Sequence, residues 1–393
     1  MAYRFSRRIV STPKSFIRET LKATQAADII SFAGGLPNPE CIDTAGIGRA
    51  AADVIREDGK RALQYATTEG HEPLREYIAE RYRRRYGLDA QPDEILITNG
   101  SQQCLDLIGK VLIDAGDAVA IERPGYLGAI QAFSLYEPVF QPVPLAPDGP
   151  DTGVLEETLR THEPAFFYGI PNAQNPSGIT YSDRRRRECA KILAEYETVF
   201  VEDDAYGELR FDGKAMVPVA RHLPGLGVMT GSFSKIFSPG MRLGWIYAPA
   251  DLYEKLVIAK QASDLHSNYL SQRILSRYLE ANDIDAHIAT IRDAYRMRAQ
   301  VMVQSMEELF PDGVAFTRPE GGMFVWVTFP EGISSLELFE RALAHRVVML
   351  PGVPFYTDGG GESTGRFNFT NADPETIRKG IGIIGDLLRE MRG

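Results

Sequence analysis

The sequence is poor in cysteine and in long apolar runs. Its three cysteines, Cys41, Cys104 and Cys189, lie far apart among 393 residues and form no C-x-x-C pair. That usage fits a reducing compartment and argues against a disulfide framework or a zinc site. No run of about 18 apolar residues occurs, and no apolar segment follows the basic N-terminal residues, so we expect neither a membrane-spanning helix nor a secretory signal. These absences predict a soluble, cytoplasmic protein.

Positive charge is scarce as well. The 43 lysines and arginines are outnumbered by 53 acidic residues, which gives a formal net charge of -10 at pH 7. That balance argues against nucleic acid, and against an anionic membrane surface, as the main partner. It is still compatible with a local basic pocket for a phosphate or a carboxylate.

The first 250 residues alternate short apolar runs with amphipathic stretches such as residues 183–197. The apolar runs cover residues 94–99, 118–124, 165–171, 198–204, 227–233 and 243–249. Strands that alternate with helices are typical of βαβ units, in which a mostly parallel sheet is covered on both faces. The sequence therefore predicts an α/β fold.

The pattern changes after residue 250. Residues 283–308 contain neither proline nor glycine and predict one long helix, whereas residues 321–330, 347–355 and 365–370 read as strands. We expect a large domain over residues 45–290 and a smaller α+β domain over residues 291–393. Residues 1–44, with one helix-like stretch at 15–24, are too few to fold alone. They are expected to pack with the small domain or across a subunit boundary.

Polar residues follow the ends of five predicted strands. Ligands bind outside the carboxyl ends of the strands in open parallel sheets, so these residues predict one binding site. They are Ser101, Gln102, Tyr126, Asn175, Asp203, Tyr206, Ser232, Ser234 and Lys235.

At two of these strand ends, the residue types indicate which part of a ligand they could bind. At residues 99–102, glycine and a helix N-terminus could bind a phosphate, although an ordinary serine N-cap is the commoner meaning of this motif alone. Asp203 ends a buried strand and needs a partner. A protonated pyridine nitrogen would supply one, and so would a helix cap or a salt bridge. Asn175 and Tyr206 can donate hydrogen bonds to a phenolate oxygen.

The run GSFSKIFSPGMRLGW at residues 231–245 is the strongest signal. A lysine at a strand end in an apolar context can lose its proton and form an imine. Ser232, Ser234 and Arg242 accompany Lys235, and all three can bind a phosphate. A surface lysine in a polar loop would not explain these companions, so the run predicts pyridoxal phosphate as the cofactor.

Ten motifs carry a resemblance to a known family. AGGLPNP, LQYATTEG, TNGSQQ, QNPSG, VEDDAY, GSFSKIFSPGMRLGW, GGMFVW, LPGVPF, GGGEST and GRFNFT occur in this order. Through them the whole chain resembles the fold-type I pyridoxal-phosphate-dependent aminotransferases of class I and II. It is especially similar to the kynurenine/2-aminoadipate aminotransferase group. The resemblance implies a seven-stranded, mostly parallel sheet in the large domain.

The resemblance also implies roles around the cofactor. Lys235 would carry it as a Schiff base and move the substrate proton. Asp203 would pair with the pyridine nitrogen, Asn175 and Tyr206 would hold the phenolate oxygen, and Tyr126 would stack on the ring. The phosphate would be bound by Ser101, Gln102, Ser232 and Arg242, and Ser234 would also contact the cofactor.

Four further positions are implied to act on the substrate or across a subunit boundary. Arg366 in GRFNFT would clamp the substrate α-carboxylate with its planar fork, assisted by Gly35 and Asn175. Tyr65 would reach the phosphate of the other subunit, which makes a homodimer part of the site. Arg18 matches an arginine that contacts the distal carboxylate of dicarboxylic substrates, although a solvated helix face is an equally good interpretation.

The implied reaction is a ping-pong transfer of an amino group from an L-amino acid to a 2-oxo acid such as 2-oxoglutarate. Donors that fit are 2-aminoadipate, glutamate and aromatic or branched-chain amino acids. Lyases, decarboxylases, racemases and biosynthetic enzymes use the same fold and stay open. A regulator with an added DNA-binding domain is disfavoured, because only about thirty residues precede AGGLPNP.

Overall fold

The computed structural model describes residues 3–12 and 29–392. Within these ranges the strands form sheets of eight, four and two strands. The strands are β1 (Ile30–Ser31), β2 (Ile95–Thr98), β3 (Ala118–Arg123), β4 (Val139–Ala146), β5 (Gly149–Pro150), β6 (Phe166–Gly169), β7 (Val199–Asp204), β8 (Gly227–Ser232), β9 (Gly244–Tyr247), β10 (Ala315–Phe316), β11 (Phe324–Thr328), β12 (Val347–Val348), β13 (Leu350–Pro351) and β14 (Thr364–Asn368).

Helices separate most of these strands. The α-helices of the described residues are Arg7–Ser11, Thr44–Ala62, Glu72–Tyr86, Ser101–Leu112, Leu127–Ser134, Thr152–His162, Asp183–Glu195, Ala250–Asp264, Tyr269–Ala281, Ile284–Leu309, Ser335–Ala344 and Pro374–Arg392. Short 3-10 helices cover Pro39–Cys41, Pro92–Glu94, Gly207–Leu209, Val219–His222, Pro239–Met241 and Val353–Phe355. No helix in the described part of the chain is long and apolar enough to cross a bilayer.

The large sheet has the order β2-β9-β8-β7-β6-β3-β4-β5. The strands β8, β7, β6, β3 and β4 run parallel to one another, whereas β9 is antiparallel to both β8 and β2. Consequently β2, β3, β6, β7 and β8 all point the same way. Their carboxyl ends meet at one edge, as the α/β prediction requires.

Alternate residues of the central strands pack into different core clusters. On β6, Phe166 and Tyr168 belong to the main cluster, whereas Phe167 packs with Leu159 and Leu193 from the helices Thr152–His162 and Asp183–Glu195. Side chains of a strand alternate between faces, so this division shows that the sheet is buried on both sides. Both faces are therefore apolar, and polar groups gather at the strand ends.

The six apolar runs predicted as strands are confirmed to within two residues at each end, and the long helix lies at Ile284–Leu309. The sheet has eight strands, not the seven expected, because the chain turns back at Gly149–Pro150 and pairs with the end of β4. β4 itself contains Pro142 and Pro144, which usually exclude a central strand. Its second neighbour starts only at Leu145, so these prolines lie on an open edge where a missing N–H breaks no ladder.

The C-terminal strands differ in one respect from the prediction. Residues 347–355 do not form one strand: β12 pairs in parallel with β1, and β13 pairs with β14. Between β12 and β13 the chain passes from one sheet to the other, and a short 3-10 helix follows at Val353–Phe355. β11 and β14 pair antiparallel over five residues each, which places Arg366 opposite Trp326. The domain boundaries at residues 44 and 290 stay predictions.

Candidate active site

A cavity of about 310 Å³ opens at the edge where the parallel strands end. Twelve of its lining residues were predicted from the sequence: Gly35, Ser101, Gln102, Tyr126, Asn175, Asp203, Tyr206, Ser232, Ser234, Lys235, Arg242 and Arg366. Nine of them follow or end the strands β2, β3, β6, β7 and β8, which share one direction, whereas Gly35, Arg242 and Arg366 come from other segments. The fold thus brings together residues that lie more than 300 positions apart in the sequence.

Lys235 follows β8 and is partly buried in the cavity wall. Its Nζ donates a hydrogen bond to the Gly35 carbonyl oxygen at 2.7 Å. Burial, with the nearby charges of Arg366 and Arg242, lowers the pKa of Lys235 to about 8. An amine with this pKa loses its proton near neutral pH far more readily than a surface lysine, which suits a nucleophile or a proton carrier.

Asp203 lies at the carboxyl end of β7 and is 3% exposed. Its two oxygens accept hydrogen bonds from the hydroxyls of Tyr168, at 2.7 Å, and Thr230, at 2.9 Å. Burial raises the pKa of Asp203 to about 6, while these two hydrogen bonds act in the opposite direction. Each oxygen keeps accepting capacity for a further donor in the cavity.

The turn before the helix Ser101–Leu112 presents free N–H groups to the cavity. Gly100 has a φ of 77° and no side-chain cap follows it, so the helix N-terminus is free to bind an anion. A Cβ at Gly100 would lie 2.5 Å from Arg242 Nη2. Arg242 donates from Nη2 to the Asn99 carbonyl oxygen at 3.1 Å. Glycine is therefore needed for the guanidinium to approach the turn.

The other predicted phosphate-binding residues surround this turn. Ser232 and Ser234 are 5% and 8% exposed, and the Ser234 N–H donates to Ser232 Oγ at 3.1 Å. Gln102 Nε2 donates to the Gly128 carbonyl oxygen at 2.9 Å. The hydroxyls, the helix N-terminus and Arg242 form a polar, cationic end of the cavity.

Arg366 is a fully buried cation on β14. It donates to Asn175 Oδ1 at 2.8 Å and to the Ala33 carbonyl oxygen at 2.6 Å, whereas its Nε has no hydrogen-bond partner. The guanidinium lies 4.2 Å from the centre of the Phe324 ring. Burial lowers the pKa of Arg366 to about 10. No carboxylate of the described residues forms an ion pair with it, so the site has an unused positive charge.

Asn175, Tyr206 and Tyr126 line the remaining wall. Asn175 Nδ2 donates to the Tyr206 hydroxyl at 3.2 Å. Burial raises the pKa of both phenols, that of Tyr126 to about 12, so both stay protonated and can donate. Asn175 thus connects Tyr206 to Arg366.

Among the described residues, Tyr65 is the predicted site residue that does not line this cavity. Tyr65 is 79% exposed and touches the His266 ring edge-on, with 5.8 Å between ring centres. Arg18 lies outside the described residues. The partner-subunit role of Tyr65 and the substrate role of Arg18 both stay predictions.

Sequence reasoning missed several contributors. Tyr168 and Thr230 lie inside buried strands, where no sequence signal separates them from core residues. Phe324 belongs to GGMFVW, one of the ten motifs, which gave no role for it. The other unpredicted lining residues are Leu36, Pro37, Ile170, Ala205 and Pro239.

Comparisons with known proteins agree with this geometry. The profile of the family described as Aminotransferase class I and II matches residues 39–384. Aromatic-amino-acid aminotransferase 1 of Thermococcus litoralis is 42% identical over 392 residues, covering 98% of this chain and 94% of that protein. The 2-aminoadipate transaminase of Thermus thermophilus is 44% identical over 380 residues, covering 95% of this chain and 94% of that protein.

A solved structure gives the same result. An alpha-aminoadipate aminotransferase of Thermus thermophilus, complexed with N-(5'-phosphopyridoxyl)-L-leucine, matches with a TM-score of 0.92 at 42% identity, covering 99% of this chain and 98% of that one. The predicted fold, the cofactor pyridoxal phosphate and amino transfer as the activity are thereby confirmed. The chain belongs to the class I and II aminotransferases.

Proposed function

We propose that this cavity binds pyridoxal phosphate and moves an amino group between an L-α-amino acid and a 2-oxo acid by a ping-pong mechanism. The observation that carries the proposal is the presence of Lys235 and Arg366 in one cavity. The first is an amine whose pKa is lowered to about 8. The second is a buried guanidinium with an unpaired Nε. The amine of Lys235 suits proton transfer, and the guanidinium of Arg366 suits a substrate carboxylate.

The polar end of the cavity fits the phosphate. The helix N-terminus after Gly100 offers N–H groups with a partial positive charge, and Arg242 adds a full one. The hydroxyls of Ser101, Ser232 and Ser234 complete the donor set. A side chain at Gly100 would displace the guanidinium of Arg242 from this position.

The remaining polar and aromatic groups of the cavity fit the pyridine ring of the cofactor. Asp203, held between Tyr168 and Thr230, can accept a hydrogen bond from a protonated pyridine nitrogen. Tyr206 and Asn175 can donate to a phenolate oxygen, and Tyr126 offers a ring face to stack on. Each part of the cofactor therefore has a matching group.

When bound, pyridoxal phosphate supplies an electron sink for the charge that develops when a substrate Cα loses its proton. Lys235 takes that proton and returns it, and its lowered pKa matches this double role as base and acid. Asp203 holds the proton on the pyridine nitrogen. Arg366 binds the α-carboxylate and fixes the orientation of the Cα–H bond.

The substrate side chain meets an apolar wall. The apolar residues Leu36, Pro37, Ile170 and Phe324 belong to the cavity lining. Relatives act on aromatic amino acids and on 2-aminoadipate, as their names state. We propose donors of both kinds, with 2-oxoglutarate as acceptor. Arg18 is the proposed contact for a distal carboxylate, and it would have to move away for an aromatic side chain.

We further propose a cytoplasmic homodimer with shared active sites. The three cysteines are free thiols, which fits a reducing compartment. Tyr65 is a large side chain that is 79% exposed and stands outside its own cavity. A position at a subunit interface, with the hydroxyl in the phosphate site of the other subunit, would bury it.

The experiment is a panel of amino donors with 2-oxoglutarate, in which glutamate formation is measured. We expect aromatic donors and 2-aminoadipate to react. Double-reciprocal plots of rate against donor concentration, at several fixed concentrations of 2-oxoglutarate, should give the parallel lines of a ping-pong mechanism. Lys235→Ala should abolish turnover and the near-visible absorbance of the Schiff base that Lys235 would form with the cofactor. Release of ammonia or CO2 in place of glutamate would show a lyase or a decarboxylase instead.

Arg18→Gln separates the two kinds of donor. We expect kcat/KM for 2-aminoadipate to fall about tenfold, the scale of one hydrogen bond to a charged group, while aromatic donors are unaffected. If activity on 2-aminoadipate survives undiminished, the role of Arg18 is wrong.

A further inference from the structure

A buried ion pair lies beside the cavity without lining it. Lys260 is 0% exposed, and its Nζ contacts the two carboxylate oxygens of Asp264 at 2.8 and 2.9 Å. The residues are one turn apart on the helix Ala250–Asp264. Burying a lysine is costly unless it is paired and hydrogen-bonded. A buried ion pair adds little to the stability of its own helix, so a role outside that helix would account for its presence here.

The pair is connected to two side-chain amides. Asp264 Oδ2 accepts hydrogen bonds from Asn99 Nδ2 at 2.6 Å and from Gln103 Nε2 at 2.8 Å. Lys260 Nζ also donates to Gln103 Oε1 at 3.1 Å. Three donors therefore converge on one carboxylate, and every polar group of the pair has a partner.

Asn99 extends this network to the proposed phosphate site. Its backbone N–H donates to Gln103 Oε1 at 2.8 Å, and its carbonyl oxygen accepts from Arg242 Nη2 at 3.1 Å. The next two residues are Gly100 and Ser101, where the helix N-terminus opens into the cavity. One residue thus links the buried pair to both the turn and the guanidinium.

We propose that Lys260 and Asp264 are positioning residues for the phosphate of the cofactor. They hold Asn99, and through it the N–H groups of the turn and the fork of Arg242, in the arrangement that a phosphate needs. The inference rests on the phosphate site in the proposed function. Donors that are fixed before the anion arrives lose little entropy on binding, so affinity depends on the groups behind them.

The test is a comparison of two ligands that differ only in the phosphate. Asp264→Asn keeps the shape of the side chain but removes its negative charge and replaces one acceptor oxygen by an NH2 group, which cannot accept from the Lys260 ammonium. Dissociation constants for pyridoxal phosphate and for pyridoxal are measured on the stripped protein by absorbance titration. We expect affinity for pyridoxal phosphate to fall about tenfold and affinity for pyridoxal to stay unchanged.

Asp106→Asn is the matched control. Asp106 forms the same kind of pair with Lys110, four residues away at 3.4 Å, on the helix Ser101–Leu112. Lys110 also donates to Ser263 Oγ at 2.7 Å, so it joins the same two helices at a surface position. This substitution should leave both dissociation constants unchanged.

Asn99→Ala removes the direct hydrogen bond between Asn99 and Asp264 and keeps the ion pair of Lys260 and Asp264, so it serves if Asp264→Asn does not fold. It should show the same selective loss for pyridoxal phosphate. The double variant should lose no more than Asp264→Asn alone, because both changes break one connection. Equal losses for both ligands, a similar loss in Asp106→Asn, or additive losses would each overturn the inference. A wild-type protein that binds pyridoxal phosphate but transfers no amino group would overturn the proposed function only.

Discussion

At the scale of single residues, the cavity places two cations in different surroundings. Arg242 is exposed and rests on the carbonyl oxygens of Asn99 and Pro239. Arg366 is 1% exposed and has one N–H group without a partner. Burial, followed by the positive charge of Arg366, lowers the pKa of Lys235, and the unpaired N–H of Arg366 leaves a place for an anion. The exposed Arg242 therefore fits a phosphate site, and the buried Arg366 fits a carboxylate site.

Arg366→Gln tests the carboxylate site. The amide cannot supply the charged fork, so we expect kcat/KM for the amino acid to fall by about 100-fold, equivalent to about 3 kcal/mol. Steady-state kinetics measure this change. Affinity for pyridoxal phosphate, titrated in parallel, should stay within a factor of about two, because Arg366 is assigned to the substrate. A loss of cofactor affinity without a change in kcat/KM would contradict the assignment.

Glu122 is a buried carboxyl behind the site, where it accepts hydrogen bonds from Tyr181, Gln174 and the Ile170 N–H. Burial raises the pKa of Glu122 from 4.5 to about 7. The folded state therefore holds this proton over a range in which the unfolded state has lost it. The resulting stability is present below pH 4.5 and is lost as the pH rises to about 7.

Glu122→Gln removes this titration. The free energy of unfolding of the variant, relative to that of the wild type, should rise between pH 4.5 and about 7 and be constant above and below that range. Urea unfolding of the cofactor-free protein at a series of pH values measures it. A difference that does not vary with pH would show that Glu122 titrates normally.

At the scale of elements, the turn at residues 99–101 depends on close contacts between chain segments. Gly100 has a φ of 77° and is packed against Arg242, whereas a Cβ at Gly244 would lie 2.8 Å from the Ser101 nitrogen. Arg242 itself has a φ of 53°, an unusual value for a residue other than glycine. Such backbone is typical of sites where a ligand fixes the geometry.

Gly100→Ala tests the turn, with Gly116→Ala as its control. Both glycines have positive φ, but a Cβ at Gly116 meets nothing within 4 Å. Each substitution carries a backbone cost, which is about 1–3 kcal/mol at Gly100 because its φ of 77° and ψ of 168° lie in a region that essentially only glycine adopts. Only Gly100→Ala displaces Arg242, so only this variant should bind pyridoxal phosphate more weakly, by about tenfold or more. Equal affinity of the two variants would show that Arg242 adapts without cost.

At the scale of the whole molecule, the proposed dimer makes each site depend on two subunits. The described residues of one chain line the cavity with every predicted site residue except Tyr65, which lies outside the cavity, and Arg18, which lies outside the described residues. Tyr65 lies beside His266, two residues beyond Asp264. The network behind the phosphate turn and the proposed interface are therefore close along the chain.

Mixed subunits test this arrangement. In a hybrid of Lys235→Ala and Tyr65→Ala subunits, one site has an intact Lys235 and receives Tyr65 from the other subunit. We expect mixing to restore tight cofactor binding and activity that neither parent has. Co-purification through an affinity tag on one of the two subunits confirms that hybrids form, and enzyme assays measure the gain. Hybrids with no gain, or an active monomer, would rule out the shared site.

The sequence by itself determined the fold class, the cofactor and most of the cavity. Glycine, proline and the strand periodicity mark local backbone, and reactive residue types such as Lys235 stand at strand ends in recognisable motifs. Prediction from local sequence failed where the position of a segment relative to its neighbouring strands determines its structure. The prolines of β4 are tolerated only because that edge is open, and residues 347–355 divide between two sheets.

Only the tertiary structure decided which groups stand behind the site. Tyr168, Thr230 and the pair Lys260 and Asp264 come from separate elements, and nothing in the sequence distinguishes them from ordinary core or surface residues. Their roles depend on burial and on hydrogen bonds between residues up to 165 positions apart. Local sequence encodes the chemistry of a side chain, whereas its pKa and its partners arise from the packing of distant segments around it.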